Sequence, residues 1–431
     1  MALGIYMQPQ PNSLNPAVYA IATMDTKGAE LAFVADCLRA QGTPVLTVDV
    51  GTFAPPTIQP NVAREVVAAC HPNAVDAVLT QTDRGRAVEL MSDALREYLI
   101  HEFAAGHLLG VIGLGGSGGT ALISPAMREL PVGLPKILVS TVAAGNVAAY
   151  VGSSDLVMFP SIVDVAGLNS VSRKILSNAA HAMFGMLVGR PEASHDSHSA
   201  IRGRPAIGMT MFGVTTPCVN AVRVALEADG FDALVFHATG TGGRSMDKLV
   251  ESQLIRGVLD ITTTEVADEI VGGIFPAGPT RFEAIISSGV PYVMSLGALD
   301  MVNFGARSTV PDKFANRLFH VHNSQITLMR TTAEENRQFA KWIAAKVNQS
   351  FGPLAILIPE RGVSLLDAPG QPFHDPIADE VLFTELERSV RQTENRTIRR
   401  LPFHINDLEF STALIDTFRK LWSLSRKAPL P

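Results

Sequence analysis

The 431-residue chain carries 35 basic against 41 acidic side chains, a net charge of −6, with 47% hydrophobic and only 18% charged residues. That balance, with a mean hydropathy of +0.21, excludes a disordered chain and requires much buried sheet spread over two or more domains. It also excludes a general nucleic-acid binder, which needs a basic stripe to release counterions from phosphates, and "RTIRR" is the one basic cluster that stands out.

Cys37, Cys70 and Cys218 fit no C-x-x-C spacing and read as small buried hydrophobes of a reducing compartment. "MALGIYMQPQPNSLNP" lacks the basic and apolar regions of a signal peptide. No apolar run reaches the ~18 residues that span a bilayer. The expectation is a soluble, cytoplasmic protein without membrane or nucleic-acid partners.

In chain order, "VYAIATMD" reads as a strand and "TKGAELAFVADCLRAQG" as a helix with Leu31, Val34 and Leu38 on one face, stopped by Gly42. "PVLTVDV" is the next strand. A long helix over Arg86–Phe103 follows, striped by Val88, Met91, Leu95 and Leu99. Then come the strand "LLGVIGLGG", a helix to Leu130, the strands "KILVST" and "DLVMFPS", and a helix through "SVSRKILSNAAHAMFGMLVG". Fully apolar strands alternating with helices imply a mostly parallel sheet covered on both faces.

"RPEASHDSHSAIRGRP" is polar and interrupts the pattern. The rhythm restarts with the strand "AIGMTMFG", the helix "TTPCVNAVRVALEADG", the strand "ALVFHATG" and the helix "TGGRSMDKLVESQ". Further on, Thr332 with Glu335 forms a capping box ahead of Phe339, Trp342 and Ile343. Asp375 and Pro376 form an N-cap and N1 pair. The expected fold class is α/β, with two Rossmann-like domains, each a mostly parallel sheet with helices on both faces. The first spans 1–190, a linker 191–204, and the second 205–431.

Ligands of such sheets sit beyond the carboxyl ends of the strands, where helix N-termini offer free N–H groups. Four strand-to-helix loops qualify. "GLGGSGGT" places Gly113, Gly115 and Gly118 in G-x-G-x-x-G spacing, but the next strand carries no ribose-binding acid, and no Walker A sequence occurs. A nucleotide is therefore favoured over a redox dinucleotide. Its contact candidates are Gly115, Gly116, Ser117, Gly118, Gly119 and Thr120, and close helix–sheet packing is the competing use of the glycines. "TMDTKG" offers Asp25 as a Mg²⁺ or water-bridged ligand, Thr26, and Lys27 as a point charge for phosphate. Its plain alternative is a helix cap at Asp25 or Thr26 with a solvated Lys27. Asp49 ends the second strand where a ribose-binding acid belongs, and "STVAAGN" adds Thr141.

In the second domain "HATGTGGRS" offers glycines and Arg244 for a phosphate or carboxylate, with His237 at the strand end. "FHVHN" puts His320 and His322 on one face of a strand. Asp300, Glu360, Asp367, His374 and Asp375 could join them around a divalent metal, though the spacing specifies none.

"ATMDTKGAEL", "GLGGSGGT", "FHATGTGGRSMDKL", "GALDMVNFG", "HNSQITLMRTTAEEN" and "DAPGQPFHDP" together resemble the two-domain family of the N-terminal, inhibitory part of the tomato mosaic virus resistance protein, which has stand-alone bacterial members. The resemblance runs from about Val18 to the C-terminus. It implies two Rossmann-like domains, ATP with Mg²⁺ in the first, and a homodimer. Nucleotide contact carries over to "TMDTKG" and "GLGGSGGT"; no catalytic residue carries over, nor does the plant protein's role against viral RNA replication. The expectation is an ATP- and Mg²⁺-binding protein with a small anionic metabolite at an interdomain cleft. The rival classes are a metal-dependent enzyme using the second-domain His, Asp and Glu residues, and a non-catalytic nucleotide sensor.

Overall fold

Parallel strands buried on both faces dominate both halves of the chain. A computed structural model describes residues 15–73, 75–189 and 203–425, and these fall into two units, Met1–Ser197 and His198–Pro431. The expected linker 191–204 lies outside the described residues, apart from Gly203 and Arg204, as does the N-terminal stretch 1–14.

In the first unit β1 (Ala17–Ala22), β2 (Val45–Asp49), β3 (Leu108–Gly115), β4 (Lys136–Ser140) and β5 (Val157–Pro160) form one sheet in the order β2-β1-β3-β4-β5. Every pairing is parallel. Strand alternation divides the core: Tyr19 and Ile21 pack with Leu95, Leu99 and Ile123, while Val18 and Ala20 pack with Leu31, Val34 and Leu176. The chain steps from β1 out to the edge strand β2, then returns past β1 to β3. That reversal opens a crevice between the carboxyl ends of β1 and β3.

Helix ends follow local chemistry. The helix expected from Arg86 begins at Arg84, because the Asp83 carboxylate accepts from Arg86 N at 2.7 Å. The first helix runs Met24–Arg39 and bends at Lys27 (φ −125°, ψ 20°). Neither Asp25 nor Thr26 is its cap. The N-cap position is Thr23, without a side-chain bond, and the Met24 amide is taken by Asp49 Oδ1 at 2.9 Å from the neighbouring strand.

In the second unit β6 (Ala206–Met211), β7 (Asp232–His237), β8 (Gly257–Thr262), β9 (Tyr292–Gly297), β13 (Leu354–Pro359) and β14 (Arg396–Leu401) make a parallel sheet in the order β14-β13-β9-β8-β6-β7. Both units are therefore doubly wound α/β sheets with one strand-order reversal each. Between β9 and β13 lies an antiparallel sheet, β10-β12-β11, of β10 (Met301–Phe304), β11 (Phe319–Val321) and β12 (Thr327–Arg330). Of its strands the sequence suggested only β11, in "FHVHN", since each has only three or four residues. The Thr332/Glu335 capping box and the Asp375 N-cap form as expected. Among the described residues no helix is long and apolar enough to cross a membrane.

Candidate functional site

The glycine turn after β3 divides its labour. A Cβ on Gly113 would meet Leu138 at 2.7 Å and Ile123 at 3.0 Å, and one on Gly115 would meet Thr120 N at 2.6 Å, so these two glycines serve packing. A Cβ on Gly118 would meet nothing within 4 Å, one on Gly119 only Leu114 O at 3.6 Å, and one on Gly116 only Thr141 Oγ1 at 3.9 Å. Gly116 is the N-cap of the helix Ser117–Glu129 and has no side chain to cap it. The first amides of the helix therefore receive no side-chain cap at the positive end of its dipole. The packing reading of the sequence holds at Gly113 and Gly115, while Gly116, Gly118 and Gly119 are free of such contacts.

Thr120 is not at that surface. It is fully buried, and its hydroxyl lies 2.6 Å from Ser140 Oγ, tying the helix to β4. Ser117 and Thr141 are exposed, and the Thr141 amide donates to Gly115 O at 3.3 Å, which holds the two turns side by side.

The "TMDTKG" turn follows β1, across the crevice. Asp25 is half-buried; its carboxylate accepts from Thr26 Oγ1 at 3.3 Å and Ala54 N at 3.4 Å. Thr26 is exposed. Lys27 is neither solvated nor free: its ammonium donates to Val165 O at 2.5 Å, which draws the loop after β5 toward the first helix. Asp49 departs further from expectation. It is fully buried, with Oδ1 accepting from Met24 N and from Gly51 N at 2.8 Å. Burial pushes its carboxyl above the usual range, while those two amides pull it back. Asp49 shapes the turn from beneath and does not present itself to a ribose.

Beside the glycine turn a cleft of about 430 Å³ opens between the ends of β4 and β5, lined by Ser140, Thr141, Ala144 and the segment Pro160–Asp164. Its size suits a small-molecule ligand. Ile162, 73% exposed, stands here with φ +65°. The tight turn around it is closed by Val163 N donating to Ser161 O at 2.7 Å and by Ser161 Oγ donating to Val163 O at 2.6 Å. A β-branched residue in the left-handed region is strained, and such strain collects at functional sites. Sequence reasoning stopped at "DLVMFPS" and missed Ile162 and Asp164; a strand running straight into the polar "SIVD" was the available signal.

The second domain's glycine turn, expected to take a phosphate or carboxylate, already holds one of its own. Glu265 Oε1 accepts from Gly240 N at 2.6 Å and Gly243 N at 3.1 Å. Its Oε2 accepts from Arg281 Nε at 3.1 Å, and Arg281 also reaches Asp247 at 3.3 Å and Asp260 at 2.8 Å. A Cβ on Gly243 would collide with Glu265 and Arg281, and one on Gly242 with His237 O. Arg244 is exposed and donates to Pro276 O at 3.2 Å. His237, also exposed, stacks on Phe212 with ring centroids 5.3 Å apart.

The His, Asp and Glu residues considered for a metal do not assemble around one. Among the described residues no group of three or more is arranged to hold a metal ion. β11 ends at Val321, so His322 lies beyond the strand that was to align it with His320. Glu360 faces Arg400 at 3.9 Å. Asp300 and Asp367 are buried near Arg330 instead.

Two family models match the chain: the uncharacterised protein family (UPF0261) N-terminal domain over residues 16–192 and its C-terminal domain over residues 204–422. The chain is 51% identical over 404 residues to a UPF0261 protein of Rhizobium meliloti, covering 94% of this chain and 98% of that one. It is 47% identical over 429 residues to the ToMV resistance protein Tm-1 of Solanum lycopersicum, covering 96% of this chain but 57% of the tomato protein. A UPF0261 protein of Clostridium tetani is 43% identical over 405 residues, covering 93% of this chain and 98% of the relative.

Proposed function

The chain belongs to the UPF0261 family, and we propose that it is a cytoplasmic nucleotide-binding protein that takes ATP with Mg²⁺ in its first domain. The observation that carries this reading is the glycine turn after β3, where Gly116, Gly118 and Gly119 leave space at the start of an uncapped helix. Phosphate oxygens fit there because they accept from successive amides and meet the positive end of the helix dipole. Lys27, across the crevice, supplies a point charge once it exchanges its carbonyl partner for phosphate. The nucleoside half fits the cleft beside Thr141, with Asp164 at hand for ribose or base donors.

Asp25 is the residue that would hold Mg²⁺. Its carboxylate is half-buried and receives only long hydrogen bonds, so it has acceptor capacity left. Mg²⁺ commonly takes one or two carboxylates together with substrate phosphates, which matches one such residue beside a phosphate turn. When bound it neutralises phosphate charge. The homodimer implied by the family resemblance is part of the same proposal.

Calorimetric titration of the full chain with MgATP, with NAD as comparator, tests the reading. Heat and thermal stabilisation with MgATP alone are expected, and light scattering of the same samples reads the dimer. Stabilisation by NAD with none by ATP would overturn it.

A further inference from the structure

The second domain contains a charge imbalance that its hydrogen bonds do not resolve. Three buried carboxylates, Asp300, Asp367 and Asp379, surround the single guanidinium of Arg330. They come from separate elements. Asp300 lies in the turn after β9, Arg330 ends β12, Asp367 lies in the loop after β13, and Asp379 sits in the first turn of the helix Pro376–Ser389. These are carboxyl ends of strands, where such sheets keep their chemistry. The turn after β9 also places Ala298 in the left-handed region at φ +58°.

Arg330 is largely committed. It donates to Phe373 O at 2.7 Å, to Thr331 Oγ1 at 2.8 Å and to Asp379 Oδ1 at 2.6 Å, while Asp367 Oδ1 stays 3.8 Å away. Asp367 Oδ2 accepts from Val363 N at 2.9 Å. Asp300 Oδ2 accepts from Ser364 Oγ at 2.7 Å, and that serine oxygen in turn accepts from Leu366 N. The other oxygens, Asp300 Oδ1 and Asp367 Oδ1, are both buried and have no hydrogen-bond partner. Two buried carboxylate oxygens without a protein partner are costly, and protonating one of the groups relieves that cost.

We propose that Asp300 is the neutral acid at neutral pH among the carboxylates around Arg330, and that it is a buried proton site exchanging with solvent by way of His374. Burial pushes Asp379 up as well, to about 8, against the pull of Arg330. Its carboxylate nonetheless binds the guanidinium directly and Asp367 faces it, whereas the one side-chain donor to Asp300 is a serine hydroxyl, so the proton is assigned to Asp300. Burial, then the Asp367 charge, push Asp300 up to about 7, against the opposing pull of Arg330 and Ser364. His374 Nδ1 lies 3.9 Å from Asp367 Oδ1 with its side chain one-third exposed, which places a solvent-reaching imidazole beside the buried carboxylates.

The sign of the linkage follows. A carboxyl whose folded-state pKa is raised binds more protons folded than unfolded, so its contribution to stability is lost as pH rises from about 4 to about 7.

The test is a carboxyl-carbon NMR titration of the full chain labelled at aspartate, in wild type, D300N, D367N and S364A. Asp247 and Asp268, which burial also pushes up to about 7, and Asp379, pushed up to about 8, titrate in the same range. The Asp300 resonance is therefore the neutral-range one that vanishes in D300N, which mimics the neutral acid and should reduce the fall in Tm between about pH 4 and 7. In D367N the same resonance should titrate lower, because a repelling charge is gone. In S364A it should titrate higher, because a donor to the charged form is gone. Those opposed shifts identify Asp300 even if D300N does not fold. A wild-type spectrum with every aspartate ionised at pH 7, or neutral-range resonances none of which moves down in D367N and up in S364A, would overturn the proposal.

Discussion

The chain has two glycine-rich strand-to-helix turns of similar texture, and they end in opposite states. In "GLGGSGGT" the helix start has no side-chain cap, and a Cβ on Gly118 would meet nothing within 4 Å. In "HATGTGGRS" the amides of Gly240 and Gly243 are bonded to Glu265, and the positions around them are filled by Glu265, Arg281, His237 O and Pro276 O. One turn is left without a side-chain cap; the other is already plugged by a carboxylate of its own domain. Glycine content reports close approach of the backbone, and a different residue decides what approaches it.

The largest effect expected is at the plug. Arg281→Ala removes the one cation that Asp247, Asp260 and Glu265 share in a dry interior. Breaking such a buried network by deleting one partner costs about 3–5 kcal/mol. Urea unfolding should show that loss in the second domain. A change below about 1 kcal/mol would mean that the network is solvated and the turn not sealed.

Next is the uncapped turn. Gly118→Val should leave the ligand-free fold nearly normal, since its Cβ projects into open space, yet abolish stabilisation by MgATP. That stabilisation is about 2.7 kcal/mol at a hundredfold excess over Kd. Badly destabilised ligand-free protein that still responds to ATP would reverse the assignment and make Gly118 a packing glycine.

These outcomes also bear on what was legible beforehand. Both doubly wound sheets could be read from runs such as "VYAIA" and "KILVS", because strands buried on both faces have no polar alternation to confuse them. The turns could be found but not sorted. Glu265 arrives 25 residues after Gly240 and Asp49 reaches Met24 from the next strand, so their partners are set by tertiary geometry. Thr120 illustrates the same limit. It sits at the end of the glycine motif, yet half a turn of helix rotates it inward onto Ser140. Of the short strands β10–β12 only β11, in "FHVHN", was legible; the other two carried too few residues for periodicity to register.

Lys27→Ala should be smaller than the glycine change but still clear. A hydrogen bond from a charged donor contributes about 1.5–3 kcal/mol, so ATP affinity should fall tenfold or more. The ligand-free protein should also lose about 1 kcal/mol, because Lys27 anchors Val165 O. Unchanged affinity by calorimetry would confine Lys27 to that anchoring role and move the phosphate site wholly onto the glycine turn.

The smallest expected effect falls on the residue that looked most like a ligand arginine. Arg244 stands at the start of a helix behind three glycines, the setting in which a guanidinium would meet a phosphate or carboxylate. Here the anion position is taken by Glu265, and Arg244 points to a single backbone carbonyl, Pro276 O, from an exposed position. An exposed hydrogen bond of that kind is worth little, so Arg244→Ala should change stability by no more than about 0.5 kcal/mol and leave MgATP affinity as it was. The contrast with Lys27 is the point of the measurement. Both are cations at the first turn of a helix, and only the one beside the open turn should matter to the nucleotide. If Arg244→Ala weakens ATP binding as much as Lys27→Ala does, the second turn is no plug, and the difference between the two turns lies elsewhere than in Glu265.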